Sequence, residues 1–153
     1  SIMHDVGKIA IPDWILAKPG KLTPEEFEVM KTHTIQGGEL LERIPQLQHH
    51  GAYRYAWDIA RHHHERWDGG GYPDGLRGDD ITPWAQVVSI ADVYDALSCK
   101  RVYKDAFPRE KVLDMIRTGQ CGTFNPKLLE CFFEAEPRLA LLYEKDEDGG
   151  REV

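Results

Sequence analysis

The chain has 153 residues, 41% of them hydrophobic, and a net charge of −7. That size and apolar share suit one globular domain with its own core, and no run approaches the ~18 apolar residues of a membrane helix. The acidic balance excludes broad DNA or RNA binding, which needs a basic face, yet admits a small anionic ligand wherever a bound metal supplies positive charge.

The opening, "SIMHDVGK", places His4 and Asp5 at the very start, with no signal-peptide pattern before them. A domain seldom starts inside its own site, so the chain is expected to be a fragment of a longer protein. Next, "KLTPEEFEVMKTHTIQGGELLERI" predicts one helix with Thr23 as N-cap, Pro24 at its first position and Glu26 closing a capping box. Phe27, Met30, Ile35, Leu40, Leu41 and Ile44 supply its apolar face, and His33 falls within it. A second helix is expected from about Ala52 to Trp67, ended by Asp68-Gly69-Gly70-Gly71 and a turn-rich loop through Ile81.

Thr82 and Pro83 open a third helix, on which Trp84, Val87, Val88, Ala91 and Tyr94 recur at helical spacing. "PREKVLDMIRTG" predicts another, with Gly119 as C-cap, and the last is capped by Asn125 and interrupted by Pro137. Residues 144–153, "EKDEDGGREV", form an acidic tail expected to be disordered, which leaves 1–143 as the domain. Cys99, Cys121 and Cys131 are odd in number and lack CxxC spacing, as reduced thiols of a cytoplasmic protein would be. Strand signals are weak, so the predicted class is all-α.

Metal-ligating residue types gather at four places: His4-Asp5, His33, His63-His64, and Asp92 in "SIADVYDAL". Each has an ordinary counterpart. A lone histidine packs in a core, a histidine run decorates a surface, and Asp5 can end a helix. Asp92 fits least well, because a carboxylate among apolar neighbours must be paired or coordinated. Three separated clusters plus that carboxylate favour metal, and imidazole with carboxylate suits iron, manganese or zinc. Adjacent ligands diverge by about 100° on a helix, which favours a multinuclear site. Lys8, four residues after His4, can meet a phosphate oxygen if the helix continues. "CKRVYKDAF" concentrates Lys100, Arg101 and Lys104 as either a ligand-binding or a solvated patch. In "DGGGYPDGL", glycine lets the backbone and Tyr72 approach a planar ligand.

Together, "HDVGK", "HHERWDGGGYP" and "ADVYDAL" resemble the HD-GYP family of the HD phosphohydrolase superfamily, from His4 to about Leu129. The resemblance implies a helical HD-domain bundle extended by C-terminal helices, with its N-terminal helices lying before this chain. It implies a bacterial, cytoplasmic phosphodiesterase that hydrolyses cyclic di-GMP to pGpG, GMP or both, using two or three divalent metals, iron first and manganese second. Carried over by position, His4, Asp5, His33, His63, His64 and Asp92 would be metal ligands, with Asp5 bridging. Lys8 would act beside Asp5 on the scissile phosphate, and Gly71, Tyr72, Pro73, Arg101 and Lys104 would bind substrate. His62 would be a bystander, and His49-His50 an ordinary loop pair. Gln86, Val102 and Asn125 depart from the family's usual residues. The alternatives are an HD phosphohydrolase for another cyclic dinucleotide, or a catalytically weak module that binds nucleotide or a diguanylate cyclase (GGDEF) domain. A second copy covering an exposed core would make a homodimer.

Overall fold

Helices carry the whole architecture: a computed structural model describes residues 3–99 and 107–148, without the side chains of 142–148, and holds no strand among them. A 3-10 helix, η1 (Val6–Ala10), leads through α1 (Asp13–Leu16), α2 (Pro24–Lys31), α3 (His33–Glu42) and α4 (Pro45–Gln48) to α5 (Tyr53–His62). A long loop with a second 3-10 turn, η2 (Gly78–Asp80), precedes α6 (Pro83–Ser98), α7 (Arg109–Arg117) and α8 (Pro126–Asp148). None of the described helices is long and apolar enough to cross a membrane.

The capping signals hold. The Thr23 hydroxyl accepts from the Glu26 amide at 3.3 Å, and the Glu26 carboxylate accepts from the Thr23 amide at 2.7 Å. Thr82 caps α6, Asn125 accepts from the Lys127 amide, and Gly119 follows the α7 cap with φ of 72°.

Four boundaries differ from expectation. The helix predicted across Thr23–Ile44 breaks at Thr32, because side chains there compete for backbone carbonyls. Thr32 Oγ1 donates to the Val29 carbonyl, His33 Nδ1 to that of Met30, and Thr34 Oγ1 to that of Lys31. The second helix stops at His62 rather than Trp67, since the Trp67 amide donates instead to the Thr123 carbonyl. Pro137 does not interrupt α8. It forfeits one backbone bond, while its neighbour Glu136 is gripped by Tyr94 and Arg109. The backbone of α8 also runs through Asp148, past the expected boundary at 143.

Two packed regions share α6. Toward the N-terminal side, Ile11, Ile15, Leu41, Ala60, Ile81 and Ala85 are buried. On the other side, Ile90, Val93, Tyr94 and Leu97 close against Val112, Ile116, Phe124 and Phe132. The buried stripe of α6 therefore excludes Val87 and Ala91, which are exposed, and Phe27 on α2 is exposed as well. Gln86 is buried and satisfied by donating to the Ile81 carbonyl at 2.6 Å.

Candidate active site

The site forms where η1, α3, the end of α5 and α6 meet. Gly7 lets η1 lie on α3: a Cβ there would stand 1.9 Å from the His33 carbonyl oxygen and 2.4 Å from the Gly37 amide nitrogen. This close approach carries Asp5 to His33, with Asp5 Oδ1 at 3.6 Å from His33 Nε2 and 3.9 Å from His63 Nε2. The other oxygen, Oδ2, lies 3.3 Å from His4 Nε2, which stands 3.5 Å from Asp92 Oδ1. Five of the six candidate ligands thus converge, although they come from distant parts of the sequence, and His64 adjoins them beside His33 and His63.

Two histidines are locked in a defined tautomer. His33 Nδ1 lies 2.7 Å from the Met30 carbonyl, and His63 Nδ1 lies 2.9 Å from that of Ile59. A carbonyl only accepts, so both Nδ1 atoms carry the proton and both Nε2 atoms present a lone pair. Those Nε2 atoms face each other at 3.5 Å inside the protein. Two lone pairs at that distance are an arrangement that a shared cation would stabilise. Backbone carbonyls orienting the distal nitrogen are also the usual outer support of metal-bound imidazole.

Donor atoms of His33, His63 and His64 lie within 4.8 Å of one another, as do those of His4, Asp5 and His63. The two sets share His63, and an imidazole-carboxylate mixture suits a divalent transition metal. Burial lowers the pKa of His63 to about 4 and drives that of His64 down too, with further help from neighbouring imidazoles. Both rings are therefore neutral near pH 7, the form that binds metal. Burial works to raise the Asp5 pKa, but hydrogen bonds from His4 and Lys8 hold the carboxyl well below its ordinary value. Asp92 is likewise lowered, against burial, by its hydrogen bond with His4.

Lys8 reaches the site differently from the expected one-face arrangement with His4. The 3-10 winding aligns residues three apart, so Lys8 Nζ donates to Asp5 Oδ2 at 2.6 Å. Tyr72 stacks on His64, with ring centres 4.8 Å apart and planes at 26°, and burial pushes its phenol pKa upward. Gly71 is pressed against the backbone: a Cβ would meet the Arg66 amide nitrogen at 2.4 Å and the His64 carbonyl oxygen at 2.5 Å. Pro73 follows in a cis peptide bond. Arg101 and Lys104 lie outside the described residues.

Two side chains beside the ligands do more than their sequence positions suggest. His62 belongs to neither donor set, yet it is buried, with Nδ1 2.8 Å from Asp58 and Nε2 2.9 Å from Asp74. Those carboxylates outweigh burial and raise its pKa. Glu65, 2% exposed, accepts from the amides of Asp74, Gly75 and Leu76 at 2.7, 3.1 and 3.0 Å. The clue available in sequence was a charged residue between two histidines and a tryptophan, but its partners appear only once the loop has folded back. His50, by contrast, is exposed and merely accepts from the Ala52 amide.

The HD domain family model matches residues 1–128. A probable cyclic di-GMP phosphodiesterase of Vibrio cholerae is 44% identical over 150 residues, covering 95% of this chain and 34% of that protein. A 3'3'-cGAMP-specific phosphodiesterase of the same organism is 45% identical over 134 residues, covering 88% of this chain and 25% of its own length. The chain therefore spans about a quarter to a third of these relatives. Among solved structures, an HDG"Y"P protein from Bdellovibrio bacteriovorus superposes with a TM-score of 0.61 at 24% identity, over 83% of this chain and 38% of that one. The chain belongs to the HD domain family, and its fold is that of an HD-GYP protein.

Proposed function

We propose that this chain is the catalytic module of a phosphodiesterase that hydrolyses cyclic di-GMP to pGpG, GMP or both. The observation that carries the proposal is the pair of donor sets sharing His63 around Asp5, with Lys8 bonded to Asp5. His4, Asp5, His33, His63, His64 and Asp92 would hold two or three divalent metals, iron in the first place and manganese in the second. Bound there, such metals supply Lewis acidity and a water of lowered pKa.

The chain's own residues do the rest. The two oxygens of Asp5 face different donors, so this one side chain ties both sets together. Lys8, bonded to Asp5 and still part-exposed, can turn its ammonium to a phosphate oxygen and offset charge that builds there. The raised pKa keeps the Tyr72 phenol protonated as a hydrogen-bond donor. Glu65 fixes residues 74–76, which follow directly on Tyr72-Pro73, and so sets where the pocket wall stands. Arg101 and Lys104 remain assigned to substrate by their match to the family pattern alone.

The test uses the full-length protein, reconstituted without oxygen with ferrous iron or manganese, with products resolved by chromatography. Metal-dependent conversion of cyclic di-GMP is expected, and Asp5→Ala should keep helical circular dichroism while losing metal and turnover. Absence of turnover with metal bound overturns the assignment of this substrate. Turnover of 3'3'-cGAMP in its place would support the second reading, which the 45% identical relative favours.

A further inference from the structure

An aromatic row leads outward from the candidate ligands. Tyr72 stacks on His64, and the Phe27 ring stands edge-on to Tyr72 with centres 6.3 Å apart and planes at 85°. Lys31 Nζ lies 5.7 Å from the centre of both outer rings. Phe27 is 46% exposed, on a helix none of whose residues is buried. A single exposed phenylalanine is ordinary. One set against a tyrosine that itself covers a candidate ligand, with a cation beside both rings, forms a platform.

We propose that Phe27 and Lys31, together with Tyr72, form a stacking subsite for one purine base of the cyclic dinucleotide. The proposal rests on the phosphodiesterase reading above. With the phosphodiester at Asp5 and Lys8, the attached base stands one sugar away, and Tyr72, stacked on the candidate ligand His64, offers an aromatic face at that same centre. Aromatic faces hold bases by stacking, and a neighbouring cation adds to the attraction. Lys31 is already paired with Glu28 at 2.7 Å, so its charge is balanced without a phosphate. Stacking tolerates any purine, so the subsite serves cyclic di-GMP and 3'3'-cGAMP alike, and substrate choice lies elsewhere.

The experiment compares Phe27→Ala and Phe27→Trp with wild type in the manganese-loaded full-length protein. Substrates are cyclic di-GMP and methyl p-nitrophenyl phosphate, which carries no purine, and GMP affinity is measured by equilibrium dialysis. Phe27→Ala should raise KM for cyclic di-GMP about tenfold and weaken GMP to match. Its kcat and its action on the purine-free ester should stay within about twofold, and Phe27→Trp should restore KM. Unchanged KM and GMP affinity in Phe27→Ala overturn the subsite, as do equal losses on both substrates. A wild-type protein that cleaves the simple ester but neither cyclic di-GMP nor 3'3'-cGAMP overturns the cyclic-dinucleotide reading instead, while GMP dialysis still decides the subsite.

Discussion

Glu65 touches three amides of the loop, and its carboxylate cannot be replaced in kind. In Glu65→Gln the amide nitrogen would confront either the Leu76 N–H or those of Asp74 and Gly75, donor against donor. The variant should be about 1–3 kcal/mol less stable in urea unfolding and should lose activity, because Tyr72 and Pro73 hang from the same loop. Wild-type stability in that variant would mean the loop holds itself. The candidate ligands were legible in sequence because histidine and aspartate announce their chemistry by type. Glu65 and His62 were not, because their partners at positions 74–76 arrive only when the loop folds back, although Asp58 stands one helical turn before His62.

Between elements, the contact of η1 with α3 decides whether Asp5 reaches His33. Gly7→Ala forces a methyl into the His33 carbonyl, whereas Gly37→Ala meets nothing nearer than 3.4 Å. The first should cost about 1–3 kcal/mol and most of the bound metal, measured by thermal unfolding and elemental analysis. The second should be far milder, and equal effects would sink the close-approach account. Helix starts were legible from Thr23, Thr82 and Asn125, whose side chains act within three residues. The break at Thr32 was harder, since "KTHT" keeps helical spacing and only the bonded carbonyls reveal the competition.

Across the molecule, α6 joins the two packed regions, and Glu136 secures the far one. Its carboxylate is 2% exposed and accepts from Arg109 and Tyr94. Arg109 is the main cause holding its pKa below the ordinary 4.5. A depressed carboxyl stabilises the fold above its unfolded pKa and ceases to do so as pH falls through the folded one. Glu136→Gln should therefore cost about 1–3 kcal/mol at pH 7, with the gap to wild type closing in unfolding curves taken below pH 4.5. A constant gap would assign the effect to shape. The all-α class was plain from sequence, but helical spacing alone did not tell that Val87 and Ala91 would be exposed and Tyr94 buried, because a helix covered on two sides blurs its own pattern.

On that helix, Asp92 turns toward the imidazoles while Tyr94, two positions on, closes the remote cluster. A cation that binds only the native state lends its binding free energy to whatever unfolds with the site. Chelation should then lower the melting of both regions as one cooperative transition, so occupancy of the centre becomes a gauge for the integrity of a cluster that supplies none of its candidate ligands.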